Sequence, residues 1–359
     1  MKKSSIVALV ALTASVMADD MGKSAGGQQM NRPDSGMMNV SAYPMIDSNK
    51  WDLWAAATLW HADQGGSEWA VKYEQEHATE VEGDVRAVDF GWNWGFKVGG
   101  GYNMMKHDEW DTQLYYTWFR ASKEEEAGVP TSVLVPNESG TLTDVAVDSL
   151  YTFPQSIGTY DANNIFKNGE IDWHINFNMF DWELGRGYMV SKHLMLRPHV
   201  GIKGGWIHQN IHGHFNSFVD ARRTYHFKNN FWGVGPSGGV NTKWELGNWS
   251  SHYFSFCGDF MAAYMYGRVN NHFEQNDPSF NEIELKAEDR HLGQTMLQAF
   301  LGFGWDTNFN DDQCHFCLRL GYEYQHWFNQ LQSFTNFEYH RENFDLTLQG
   351  GTLDVRLDF

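Results

Sequence analysis

The sequence predicts an all-β protein: an antiparallel transmembrane β-barrel of about 12 strands, with roughly 10 to 16 allowed, preceded by a signal peptide. Three observations carry this expectation. Several long segments alternate strictly between apolar and polar residues. The chain is rich in aromatic side chains without being apolar in long runs. It also ends in an alternating segment closed by an aromatic residue, Phe359.

The start reads Met1-Lys2-Lys3, an apolar run from Ile6 to Leu12, and then Ala14-Ser15-Val16-Met17-Ala18. A basic beginning, a short apolar core and small residues before an acidic pair form a secretory signal peptide, residues 1–18, cleaved after Ala18. No later stretch offers the ~18 uninterrupted apolar residues of a membrane-spanning helix. Residues 19–49 are rich in Gly, Met, Ser and Asn and show no period, which predicts a flexible periplasmic lead-in. Residues 50–359 form one barrel domain, because no linker divides the patterned region.

Composition points the same way. Aromatic residues make up 16% of the chain, with 16 Trp, while charged residues are only 20%, below the ~25% of ordinary soluble domains. Rings spaced by polar residues suit a sheet with lipid on one face and water on the other. A net charge of -19 argues against nucleic acid as a partner. Cys257, Cys314 and Cys317 are too few for a disulfide framework.

The clearest strand is Ile171–Met179, where every odd position is apolar and every even position polar. Successive strand side chains point to opposite faces, so this pattern means a half-exposed strand. In 314–328 the even positions carry Phe316, Leu318, Leu320, Tyr322, Tyr324 and Phe328, against His315, Arg319, Glu323 and Gln325. In 254–266 Phe254, Phe256, Phe260, Tyr264 and Tyr266 share a face, and in 88–102 Val88, Phe90, Trp92, Trp94, Phe96, Val98 and Tyr102 do. Weaker segments lie at 51–61, 67–77, 109–120, 194–208, 224–246, 290–306 and 345–359. These make an odd set, whereas a bacterial barrel needs an even one. Either Trp51–His61 lies outside the barrel or a strand is hidden within 125–165. At the end, Leu353, Val355, Leu357 and Phe359 are out of phase with Phe344, Leu346 and Leu348, which predicts a β-bulge at Gly350-Gly351.

Short connections near 104–108, 186–193, 247–251 and 308–313 alternate with longer polar ones near 122–166, 210–223, 271–289 and 330–343. Short turns face the periplasm and long loops the exterior. If the apolar face of each strand meets lipid, the other face lines the lumen. That places Lys97, Arg197, His199, Lys203, Lys243, Arg319, Glu323, Asp172 and Asp259 inside as pore-lining residues, together with Asp89, Asp111, Glu245, Asp354, Arg356 and Asp358. An Arg or Lys facing lipid near the midplane costs roughly 2–4 kcal/mol, which drives this assignment.

Other motifs carry less. His208, His212 and His214 match no usual zinc spacing and have no neighbouring carboxylate cluster in sequence, so no metal ligand is assigned and no cofactor is expected. Cys314 and Cys317 fall three apart on a strand, ~10 Å, too far to bridge. Pairing to another chain or to Cys257 stays open, because the outer membrane faces an oxidising compartment. Pro198 and Pro236 sit inside strands, where each removes a ladder donor. No catalytic constellation stands out, and no enzyme is expected.

Several stretches resemble the major-outer-membrane-protein family of Legionella and chlamydia-like bacteria: Trp51-Asp52-Leu53-Trp54 to Trp60, Phe90–Gly99, Leu196–Gly201, Phe231–Pro236 and Leu357-Asp358-Phe359. The resemblance implies an outer-membrane barrel with porin-like activity, whose final aromatic is read by the barrel-assembly machinery. The expected role is passive diffusion of ions and small hydrophilic solutes through a lipid-embedded barrel in the bacterial outer membrane. A homotrimer is left open. The alternative is a structural or adhesive surface barrel in which the charges pair and close the lumen.

Overall fold

The computed structural model describes residues 50–77, 80–104, 110–128, 132–136, 142–146, 148–152, 166–217, 222–249, 252–277, 280–309, 314–334 and 341–359. The expected signal peptide (1–18) and lead-in (19–49) lie outside these residues. In chain order the strands are β1 (Lys50–Gln64), β2 (Glu68–His77), β3 (Glu80–Ala87), β4 (Trp92–Met104), β5 (Trp110–Gly128), β6 (Ser132–Pro136), β7 (Leu142–Ala146) and β8 (Asp148–Thr152). They continue as β9 (Phe166–Arg186), β10 (Tyr188–Met189), β11 (Leu194–Ser217), β12 (Arg222–Trp249), β13 (His252–Asp277), β14 (Phe280–Phe309), β15 (Cys314–Phe334) and β16 (Arg341–Asp358). Among the described residues no helix is present.

Ten strands close into an antiparallel barrel in the order β1, β4, β5, β9, β11, β12, β13, β14, β15, β16 and back to β1. The seam is tied at its end by Trp51 and Phe359, which exchange backbone hydrogen bonds of 3.1 and 3.0 Å. Ten is the lower bound of the expected range. The parity conflict resolves in a third way. Trp51–His61 is a wall strand, whereas 67–77 is β2, which pairs with β3 and β8 beside the ring. Within 125–165 the described residues are the end of β5, the β6–β7 hairpin and β8, which touches β9 only at Leu150–Phe166, so they add no further strand to the ring.

The wall has two storeys. Toward the termini, apolar residues face out: Trp94, Phe96 and Val98 on β4, Val200 and Ile202 on β11, Phe260 and Tyr264 on β13, Leu320 and Tyr322 on β15. This is the lipid-facing band, rimmed by Trp51, Trp110 and Trp244 on one side and by Trp92, Trp206, Trp232 and Tyr266 on the other. Toward the far end the faces exchange. Ile171, Trp173, Ile175, Phe177 and Met179 are buried inside, and Asp172, His174, Asn176 and Asn178 point out. Two residues later on the same strand, Asp181 and Glu183 are inside while Phe180 and Trp182 are exposed. The alternation of 171–179 therefore marks a strand beyond the bilayer, with water outside and an apolar core inside. Asp172 faces away from the lumen for this reason.

The same exchange explains the C-terminal phase shift. No bulge interrupts β16 at Gly350-Gly351, where pairing with β1 and β15 runs through in register. Even positions face inward throughout: Leu346 and Leu348 in the apolar storey, then Asp354, Arg356 and Asp358 in the polar one. The chemistry of the interior changes, not the register. Val88 and Phe90 likewise precede β4 and are buried in the upper core, apart from the outward row that starts at Trp92.

Three of the expected long loops are strand instead. β11 runs to Ser217 before β12 starts at Arg222, β13 runs to Asp277 before β14 starts at Phe280, and β15 runs to Phe334 before β16 starts at Arg341. β13 and β14 are 26 and 30 residues long, where ~9–11 span a bilayer. The two prolines sit where a donor is not needed. Pro198 pairs with β12, but the β9 ladder begins only at His199. Pro236 falls in the gap of the β12–β13 ladder between Val234 and Ser237.

The two storeys give opposite predictions for one substitution. Leu320→Arg, outward in the lipid band, is expected to cost roughly 2–4 kcal/mol. Asn176→Arg, outward above it, is expected to stay within about 0.5 kcal/mol. Urea titration of both variants folded into lipid vesicles measures the difference.

Candidate functional site: the barrel interior

The membrane-level interior is a layer of charges held by glycine-rich wall strands. Among the described residues it carries six cations (Lys97, Arg197, Lys203, Lys243, Arg319, Arg356) and nine carboxylates (Asp52, Asp111, Asp181, Glu183, Asp259, Asp306, Glu323, Asp354, Asp358), every one in an ion pair. Lys97 holds Glu323 at 2.5 Å, Lys203 holds Asp181 at 2.7 Å and Lys243 holds Asp306 at 2.6 Å. Arg319 joins Asp259 at 3.1 Å and Asp354 at 3.3 Å, and Arg356 joins Asp52 at 3.0 Å and Asp358 at 2.9 Å. His315 bridges Asp306 and Asp358 at 3.2 and 2.8 Å, and His199 lies 3.4 Å from Glu183.

Arg197 is the most enclosed of these cations, with no exposed surface. Its Nε donates to Asp111 Oδ2 at 2.9 Å, while Nη1 donates to Glu183 at 3.0 Å and to Asn241 at 2.7 Å. Asp111 is two wall strands away, on β5. The side chain reaches it by passing over Gly185 of β9, where a Cβ would stand 2.5 Å from the guanidinium carbon. A glycine is needed there because any side chain would occupy the path of the ion pair.

Above the charges lies an apolar core. Trp60 packs on Phe119 at 5.5 Å, Phe90 on Trp173 at 5.7 Å and Phe166 on Phe215 at 5.3 Å. Lys97 marks the boundary, its Nζ lying 5.3 Å from the centre of the Trp60 ring. Phe177 of β9 meets Trp327 of β15 edge-on at 5.4 Å. These two strands stand five steps apart in a ring of ten, so the contact crosses the full bore.

Just past Trp327, β15 leaves β14. Its pairing with β14 stops at Met296–Trp327, Asn329 takes a φ of 54°, and Gln330, Leu331, Gln332 and Ser333 are all buried. Asn is among the few residues that accept this backbone region readily. The segment is anchored from across the barrel. The Gln332 carbonyl accepts from Asn271 at 2.8 Å, and Gln209 Nε2 donates to Gln330 Oε1 at 2.5 Å and to Gln64 Oε1 at 2.7 Å. What remains inside is a cavity of 110 Å³ at the level of Lys97, His199, Asp259, Arg319 and Glu323.

Of the expected interior residues, Lys97, Arg197, His199, Lys203, Lys243, Arg319, Glu323 and Asp259 all project inward, whereas Asp172 does not. Asp89 is exposed beyond the strand ends, bound to His61 at 2.9 Å, and Glu245 pairs with His193 at a rim. Sequence patterning missed Asp181, Glu183, Asp52 and Asp306. The first two follow the apolar run of β9 on its own face, so a single-face reading of the strand could not find them. Cys257 and Cys317 are buried free thiols, and Cys314 is a free thiol near a rim.

An antiparallel barrel with a lipid-facing apolar band, an aromatic rim and a strand-closed seam is a bacterial outer-membrane β-barrel. The chain belongs to the family of the Legionella pneumophila major outer membrane protein precursor, whose model matches residues 44–359. No curated protein matches it. Among solved structures it is similar to the outer membrane protease OmpT from Escherichia coli, at 9% identity over 88% of this chain and 99% of that one, with a TM-score of 0.38. It is also similar to the Pseudomonas putida toluene transporter TodX, at 10% identity over 87% and 90% of the two chains and a TM-score of 0.28. A Pseudomonas aeruginosa FadL homologue matches at 7% identity over 88% and 90%, with a TM-score of 0.28.

The interior layer predicts a steep cost for breaking one pair. Arg197→Met leaves Asp111 and Glu183 buried without their cation and is expected to destabilise the barrel by ~3–5 kcal/mol. Gly185→Ala should cost ~1–3 kcal/mol by crowding the guanidinium. Equilibrium unfolding of the refolded variants, followed by gel mobility of the folded form, reads both.

Proposed function

We propose that this protein is a non-enzymatic surface barrel of the outer membrane whose lumen is closed in its resting conformation, with a structural or adhesive role outside the cell. The observation that carries the reading is the Phe177–Trp327 contact between opposite walls, stacked above a layer in which every charge is paired. Narrow barrels filled by their own side chains do not conduct. The strands that continue past the bilayer, polar outside and apolar inside, make the exterior half a folded body rather than a set of loops, which suits contact with other molecules. Lipid surrounds the outward band in this proposal, and the terminal strand ending at Phe359 is the segment offered to the barrel-assembly machinery.

The second reading is a passive pore for ions and small hydrophilic solutes. It is favoured by the 110 Å³ cavity, lined by Lys97, His199, Arg319, Glu323 and Arg356, and it requires both Gln330–Ser333 and the Phe177–Trp327 contact to give way. Single-channel recording of the refolded protein in planar bilayers separates the two. Inserted, folded protein without stable current steps is expected. Stable steps, with a reversal potential that Arg319→Gln shifts, would overturn the closed barrel in favour of the pore.

A further inference from the structure

Histidines that lie far apart in sequence are brought into line on the outward face above the lipid band. Glu124 pairs in register with Asp172, Asp172 with His212, His212 with His226, His226 with Glu274, and Glu274 with Glu284. One row of six side chains thus crosses β5, β9, β11, β12, β13 and β14, with no other residue type in it. The His212 and His226 rings stack at 3.9 Å.

At the β13–β14 end of this row three donors converge. His272 and Glu274 are two apart on β13 and share its outward face, and Glu284 stands opposite Glu274 on β14. His272 Nε2 lies 2.9 Å from Glu274 Oε1 and 3.0 Å from Glu284 Oε1. All three donor atoms fall within 4.8 Å of one another. The three side chains are 28%, 45% and 48% exposed, so a cation can reach them from solvent. His226 Nδ1 stands 4.0 Å from Glu274 Oε2, behind the same carboxylate. Glu284 Oε1 is also held by the ammonium of Lys286, a resident cation on the same carboxylate.

We propose that His272, Glu274 and Glu284 form a binding site for a divalent transition metal of the zinc class on the exterior half of the barrel. One imidazole and two carboxylates suit zinc, whereas calcium and magnesium take oxygen donors alone. Bonds of ~2.0–2.2 Å in tetrahedral geometry put donors ~3.4 Å apart, so the two distances from His272 to the carboxylates need to open by only about half an ångström. Water completes the coordination, and Lys286 competes with the metal for Glu284.

The site is tested by calorimetric titration of Zn²⁺ into the refolded full-length barrel in zwitterionic micelles. One saturable site is expected. His272→Ala should weaken it by at least the ~10-fold that loss of even a supporting residue costs. Lys286→Gln should tighten it. His193→Ala, at the opposite rim where His193 pairs with Glu245, should leave it unchanged. Each variant is surface-exposed, and its β-sheet circular dichroism confirms folding. Absence of saturable binding, or binding that His272→Ala and Glu284→Gln leave intact, overturns the assignment.

Discussion

The whole molecule depends on one boundary, the plane where the outside of the wall passes from lipid to water. Below that plane a side chain facing out meets hydrocarbon, so Phe180 and Trp182 point outward and Asp181 and Glu183 are driven inside. Above it the exterior is water, and the same strand turns Ile175 and Phe177 inward to a core of rings. A strand has only two faces, so the exchange costs no change of register. It requires only that the residue types at successive inward positions change from charged to apolar.

The two storeys support each other. Charges taken out of water are costly unless paired and hydrogen-bonded, and here the narrow ten-strand bore lets cations reach carboxylates on the next wall strand, two strands away or, for Lys97 and Glu323, three strands away. Arg197 shows how closely the wall is fitted to this, since its path to Asp111 exists only because Gly185 has no side chain. The apolar core lies over this layer on its exterior side, and on the closed-barrel proposal it is the seal. The inward-turned stretch of β15 completes the seal with backbone as well as side chains, its Gln332 carbonyl held by Asn271 from another wall strand.

Much of the barrel was legible in the sequence because period-two alternation survives in every wall strand. The band of outward rings on β13 and β15 and the inward charges of β4, β11 and β15 follow from it. What the pattern cannot carry is which face is which. The most regular segment, 171–179, puts its apolar face inward and not toward lipid, which alternation cannot tell because it is symmetric, and only height relative to the bilayer decides. Polar outward residues such as His212, His214 and His272 resemble loop composition, so the pattern ends the long strands early. β2 alternates like a wall strand, yet pairs only with β3 and β8. The cross-strand row of histidines and carboxylates depends on register between distant segments, which no local spacing reveals.

The exchange of faces on β9 is open to direct measurement by spin labels placed singly from 170 to 184 in the refolded barrel, with collision rates to oxygen and to a water-soluble nickel chelate. A closed, two-storey wall predicts high chelate contact at even positions from 170 to 178 and high oxygen contact at 180, 182 and 184. It predicts low contact with both reagents at every odd position. Strong chelate contact at 171–179 on the odd positions would mean an open, water-filled lumen and would contradict the closed barrel.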